Sequence, residues 1–123
     1  RYCKKYRLDN IRVVSPASTD ERLIKNARVA SGFVYFTARQ GITGAKDKLD
    51  PKIIHNIKKL RKYFSVPIAV GFGISKKEHM NILKDDADIA IVGSAIIDII
   101  NRSKVEDIEK NVKSFIKSLK MVN

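Results

Sequence analysis

Apolar positions along the 123-residue chain follow two alternating rhythms. Short β-branched or aromatic runs, IRVV from Ile11, FVYF from Phe33, PIAV from Pro67 and IAIV from Ile89, show no strict polar alternation. Such runs are expected of strands covered on both faces. Between them the apolar spacing lengthens to three and four. Ile53, Ile54, Ile57, Leu60 and Phe64 form one stripe, and Val105, Ile108, Val112, Phe115, Ile116 and Leu119 form another. Each stripe predicts a helix with one face to bury. The predicted order is β 11–15, α 19–30, β 33–38, α 51–64, β 67–71, α 76–85, β 88–92, a short helix over 95–100, and α 104–120. This alternation specifies repeated βα units on a parallel sheet, with strands adjacent in chain order. RYCKKYRLD, ahead of the first strand, reads as the tail of a helix.

Polar residues punctuate this pattern. Ser18 with Glu21, Ser75 with Glu78 and Ser103 with Glu106 each spell S-x-x-E, in which hydroxyl and carboxylate satisfy reciprocal free amides at a helix start. Asp50 and Pro51 open the remaining long helix, as cap and first helical residue. Four parallel strands fit either a small doubly wound sheet or half of a (βα)8 barrel, which takes about 250 residues. The loops decide between them.

Composition narrows the classes. With 44% hydrophobic residues the chain can build a core. Twenty-five Lys and Arg against 13 Asp and Glu leave a net charge of +12, which invites a nucleic-acid or membrane-surface reading. The positions of the charges argue otherwise. Lys58, Lys59, Lys62, Lys110, Lys113, Lys117 and Lys120 lie between the apolar positions of helices, as solvated outer faces do, and no recognition helix, zinc-finger spacing or aromatic stacking motif accompanies them. A lone Cys3 excludes an internal disulfide and fits a reducing compartment. The longest largely apolar run, Ile89 to Ile97, is too short to span a bilayer and is closed by Asp98. No secretory pattern opens the sequence, so a cytoplasmic location is expected.

In parallel α/β folds, function gathers where strands end. Those ends read SPAST, TARQGITGAKD, GFGIS and GSAIID. Gly71-Phe72-Gly73 and Gly93-Ser94 are glycine turns leading into helix starts. A backbone without Cβ can approach an anion closely, and the amides that follow point toward it. Either turn alone would serve merely as a tight connection. Together, on consecutive strands, they point to one shared phosphate site, with Ala95 to Ile100 as the short extra helix that barrels place there.

SGFVYFTARQGITGA, PIAVGFGIS and ADIAIVGSAII, in this order and spacing, resemble the second half of the tryptophan synthase alpha chain family. The likeness runs from about NIRVVSPASTDERL to the C-terminus. It implies a (βα)8 barrel of which these strands are the fifth to eighth, residues 1–123 being the C-terminal portion of a single domain whose first half is not in the sequence. It also implies cleavage of indole-3-glycerol phosphate into indole and glyceraldehyde 3-phosphate. On that resemblance Arg39 to Lys48 is a mobile lid, Thr43 orients a catalytic aspartate on a neighbouring loop, and Gly44 lies near the phosphate. Gly41 and Gly44 give the segment the backbone freedom a closing lid uses. Tyr35 matches a substrate-site tyrosine. Phe72, Gly73, Gly93 and Ser94 match the residues that hold the phosphate through amides and a hydroxyl. The sequence departs from the family at Ala38 and Gln40 around the start of the lid, and at Asp86 and Ile89, where glycines are common.

The implied reaction is a retro-aldol cleavage driven by acid–base groups, without metal or covalent intermediate. Its two carboxylates belong to the barrel's first half, so no catalytic residue is expected in this chain and Thr43 has a supporting role. His55 and His79 fall inside predicted helices, where solvated or structural roles are expected. Asp47 and Asp50 could tempt as a pair, but Asp50 is explained as a helix cap. The resemblance further implies a beta-chain partner that receives indole and uses pyridoxal phosphate, the alpha chain itself needing no cofactor. Two other readings stay open: another phosphate-binding barrel of amino-acid biosynthesis, against which the GITGA lid argues, and a non-catalytic half-barrel retaining only the anion site.

Overall fold

The computed structural model describes residues 2–37, 52–71 and 73–120. Strands β1 (Arg12–Val14), β2 (Val34–Thr37), β3 (Ile68–Gly71) and β4 (Ile89–Ile91) form one sheet in the order β1-β2-β3-β4, and every neighbouring pair is parallel. Helices alternate with them: α1 (Tyr2–Tyr6) before β1, then α2 (Asp20–Ala27), α3 (Ile53–Arg61), α4 (Lys77–Leu83) and α5 (Ser94–Arg102). A 3-10 turn over Val105–Asp107 runs into α6 (Ile108–Leu119). A doubly wound sheet reverses its strand order at a switch point. These four strands run in chain order without reversal, as in a barrel wall. The fold is α/β of the (βα)8 barrel type, spanning about four of its βα units.

Register sorts the side chains onto two faces. Val14, Phe36, Val70 and Ala90 pair across the sheet on one face, as do Val34 and Ile68. On this face Val14, Val34, Phe36, Ile68 and Val70 are buried, in one cluster with Leu23 of α2, Ile53, Ile57 and Leu60 of α3, Phe64, and Leu83 of α4. The α3 stripe is thus buried as its spacing predicts. The opposite face carries Val13, Tyr35, Ala69 and Ile89 in one row and Thr37, Gly71 and Ile91 in the next. Here Val13 is 64% exposed and Ile89 40% exposed. Ala69 between them is fully buried and Tyr35, Thr37, Gly71 and Ile91 are half-buried, so the coverage expected from the apolar runs is complete on one face and partial on the other. In a closed barrel such a face lines the interior, whose layers draw side chains from all the strands.

The helix starts differ from the S-x-x-E reading. Thr19 caps α2, its Oγ1 accepting from the Arg22 amide at 3.4 Å, while Ser18 Oγ accepts from the Ser15 amide at 3.0 Å and shapes the turn before it. Lys76 sits at the start of α4 without a side-chain cap bond. Ser103 closes α5 instead of opening α6: its Oγ donates to the Ile99 carbonyl at 2.7 Å and accepts from Asn111 Nδ2 at 2.8 Å. The intervening 3-10 turn shifts the helical phase, so Val105, placed on the buried stripe by spacing, is 84% exposed. Of the rest of that stripe Leu119 is buried, Ile108, Val112 and Phe115 are half-buried and Ile116 is exposed, so the face is covered only in part. Asp50 and Pro51 lie outside the described residues. Lys58, Lys62, Lys110, Lys113, Lys117 and Lys120 are exposed, as their positions between apolar residues require. Lys59 instead reaches across to Asp20 of α2 at 2.6 Å, and this hydrogen bond, against a smaller opposing effect of burial, lowers the Asp20 pKa and raises that of Lys59.

Asp88 locks the entry end of the sheet. Its carboxylate accepts from the Ile68 amide at 2.7 Å and from the Arg61 guanidinium at 2.6 Å, tying α3, β3 and the start of β4 together. Burial pushes the Asp88 pKa up, but the Ile68 and Arg61 bonds outweigh it and the net shift is downward. A carboxylate with a depressed folded-state pKa stabilises fully above the unfolded value, and loses that contribution as pH falls through the folded value. Replacing Asp88 by Asn should cost about 1 kcal/mol, a figure reduced for the partial exposure of the carboxylate. Urea titrations of both proteins check this: the difference should shrink in acid, and a gap unchanged from neutral pH into the acid range would contradict it.

Candidate functional site

The register pairs Thr37 with Gly71 and Gly71 with Ile91, so the last residues of β2, β3 and β4 lie at one level, side by side. At the level of β1, Thr37 Oγ1 donates to the Val14 carbonyl at 3.3 Å and fastens the ends of the first two strands. Tyr35, on the partly covered face, leans across its neighbour strand at Gly71. A Cβ built on Gly71 would lie 2.0 Å from the Tyr35 hydroxyl oxygen and 2.3 Å from Cζ. The missing Cβ is what admits the ring. Tyr35 thus sits, half-buried, beside the strand end from which the GFG turn leaves.

That turn is held by its neighbours. Gly73 has φ +41°, in the left-handed region where glycine is favoured. Ile74 follows and is buried in the core cluster. The Ser75 amide donates to Nδ1 of His79 at 3.3 Å, and His79 is only 3% exposed. One apolar anchor and one ring nitrogen therefore hold Ile74 and Ser75, just ahead of α4.

The next strand ends in a helix start. Gly93 precedes α5 and its carbonyl accepts from the Ile96 and Ile97 amides at 2.9 and 3.2 Å. Ser94 is the first helical residue and Ala95 the second. Amides at these positions have no carbonyl behind them within the helix, and the helix dipole adds partial positive charge there. No acidic side chain lies in the first turn of α5. A Cβ on Gly93 would meet nothing within 4 Å, so the space in front of this backbone is open. Chemically, two adjacent strand ends offering backbone amides suit an anion such as a phosphate monoester.

Of the residues singled out from sequence, Tyr35, Gly73, Gly93 and Ser94 are thus gathered at the ends of β2, β3 and β4. Phe72, Thr43 and Gly44 lie outside the described residues, as do the whole segment Arg39 to Lys48, Asp47 and Asp50. Ala95 to Ile100, expected as a short helix, lies within the longer α5. His55 is exposed on α3, whereas His79 is buried and bonded to a loop amide. The described loops 15–19, 73–76 and 92–93 contain no Asp, Glu or His. Sequence reasoning missed two contributors. The G-F-G motif groups Gly71 with the anion turn, although its lack of Cβ serves Tyr35, a fact only the register reveals. For His79 the sequence allows a solvated or a structural role, and its i+4 spacing from Ser75 is the signal for the bond it makes.

A family model described as tryptophan synthase alpha chain matches residues 1–123. The tryptophan synthase alpha chain of Methanocaldococcus jannaschii is 45% identical over 114 residues, 89% of this chain and 41% of that protein. That of Halalkalibacterium halodurans is 36% identical across an alignment of 125 residues, 95% of this chain and 47% of that protein. A solved structure of the tryptophan synthase a2b2 complex from Pyrococcus furiosus contains a chain that superposes with a TM-score of 0.82 at 29% identity, covering 94% of this chain and 47% of its own. The chain spans less than half the length of these relatives.

The contact between Tyr35 and Gly71 yields a prediction. Gly71→Ala should destabilise the chain by about 1–3 kcal/mol, as overpacking does. Tyr35→Ala in the same chain should relieve most of that cost, giving a strong coupling in a double-mutant cycle. Additive losses in thermal unfolding would show that the ring does not depend on the missing Cβ.

Proposed function

The chain belongs to the tryptophan synthase alpha chain family, and on that premise we propose that it carries the phosphate-holding end of the family's indole-3-glycerol phosphate site together with its lid segment. The observation that carries this reading is the placing of the Gly73 turn and the Gly93-Ser94 helix start at the ends of adjacent parallel strands. The phosphate dianion would sit before the amides of α5, with the Ser94 hydroxyl donating to it and the GFG backbone closing one side. Phe72 and Gly44 would contribute through the backbone. Tyr35, on the neighbouring strand, would meet the part of the substrate that extends inward from the phosphate. Thr43, in the lid, would orient an aspartate supplied by the other half of the barrel.

In this assignment residues 1–123 are the C-terminal portion of one barrel domain, and the chain binds and positions substrate. The retro-aldol cleavage itself, which yields indole and glyceraldehyde 3-phosphate, would draw its acid and base from the other half of the barrel. The complete protein would act as a lyase of tryptophan biosynthesis in the cytoplasm, paired with a beta chain that holds the pyridoxal phosphate, and this chain would need no cofactor of its own. The a2b2 assembly of the Pyrococcus furiosus relative supports such a partner.

Inorganic phosphate should therefore bind the chain, and the affected amides in an NMR titration should include Gly73, Ser94 and Ala95. Gly93→Ala should weaken this response, because its side chain enters the open space in front of the backbone, and an unchanged melting temperature would show that the fold is kept. Undiminished phosphate binding in that variant would count against the site.

Turnover separates the roles further. With indole-3-glycerol phosphate, the 123-residue chain should produce no indole, with or without a beta chain. Supplying an N-terminal half should restore cleavage, since a general acid or base acts only within hydrogen-bond reach of the proton it moves. Indole production by the chain alone would refute the division of labour.

A further inference from the structure

We propose that His79 is a positioning residue for the anion site, its neutral Nδ1 holding the Gly73–Ser75 turn in the conformation that presents backbone amides to phosphate. The inference rests on the phosphate reading above and assigns a task to a side chain which that reading leaves unused. His79 is the one buried polar or charged residue among the described residues, and it is 3% exposed. Burial of an imidazole costs free energy unless its nitrogens are matched to partners. Its Nδ1 is matched to the Ser75 amide at 3.3 Å. An acceptor at Nδ1 leaves the proton on Nε2, so the bond selects one tautomer. The ring itself is carried by α4, whose Leu83 belongs to the core cluster, so it is a fixed post and not a mobile tip.

The turn needs such a post. Gly73 lies in the left-handed region and leaves the backbone at this point free to choose among conformations. Ile74 anchors the segment through an apolar contact, which sets depth in the core but not the direction of the neighbouring amides. The bond from Ser75 to His79 supplies that direction two residues beyond Gly73. A buried apolar side chain of similar size at position 79 could fill the space and keep the helix. It could not accept the Ser75 proton. His79 thus acts through the loop and would not touch the ligand.

The test compares the parent chain with His79→Leu and His79→Asn, using inorganic phosphate as the probe. Asn places its carbonyl oxygen near the position of Nδ1, so it can accept the same bond. The parent should show Nε2–H as its tautomer in nitrogen-15 spectra and a Ser75 amide protected from exchange. His79→Leu should lose the Ser75 protection and bind phosphate roughly tenfold more weakly, the size of one hydrogen bond. His79→Asn should recover most of both, even if its melting temperature falls below that of His79→Leu. Phosphate affinity that follows melting temperature instead of the presence of an acceptor would overturn the proposal, as would a parent imidazole carrying its proton on Nδ1. A parent chain that ignores phosphate while keeping Ser75 protected would overturn the phosphate reading, and with it the link from His79 to the site. The Leu variant failing to fold while the Asn variant binds normally with Ser75 protected would support the acceptor role.

Discussion

Parallel pairing in level register is the constraint from which the rest of this structure follows. Backbone bonds align Val14, Phe36, Val70 and Ala90 across four strands, and the alignment fixes which side chains share a face. Because every strand runs the same way, all exits lie at one end and all entries at the other. Asp88 and Arg61 are spent at the entry end, where they tie strand starts to α3. The glycine turns and Tyr35 collect at the exit end. The entry end is thus held by a charged lock, whereas the exit end is held by close packing of Tyr35 on Gly71 and by the buried Ile74.

The exit end is itself made of two different devices. At β4 the amides come from a helix terminus, whose geometry is set by the helix and requires only that no side chain stand in front of it; Gly93 meets that requirement. At β3 the backbone is a turn with a left-handed residue, and a turn has no internal repeat to define it. It borrows definition from Ile74 and His79. The β4 device should therefore tolerate sequence change within α5 as long as the helix persists, whereas the β3 device is sensitive to single residues several positions downstream.

Much of this was legible in sequence because it depends on local chemistry. Strand runs and the α3 stripe report directly on burial, and their alternation leaves few topologies. The glycine turns were visible because the residues that permit close backbone approach are few. The misreadings have a common physical origin. S-x-x-E identifies groups able to cap but not which residue the chain chooses, and at 19 and 103 the adjacent residue or the preceding helix took the bond. Val105 fell off its stripe because a 3-10 turn has a different angular step from the helix it precedes. Gly71 and His79 were opaque for another reason: their partners, Tyr35 and the Ser75 amide, are known only once strand register and loop path exist.

The partly covered face carries the same logic to the scale of the domain. Val13, Ile89 and the half-buried Ile91 sit on a surface that also holds Tyr35, and four strands in chain order leave β1 and β4 each paired on one side only among the described residues. Apolar side chains and open ladder edges in water are costly, and barrels remove both by closure. The layer that such closure would bury on this face is the one in which Tyr35 meets Gly71. Completing the wall would therefore change the dielectric around the exit end as well as the stability of the sheet, since excluding water strengthens every dipole aimed at a bound anion. In a closed barrel the same apolar row would thus be what makes the glycine turns effective toward an anion.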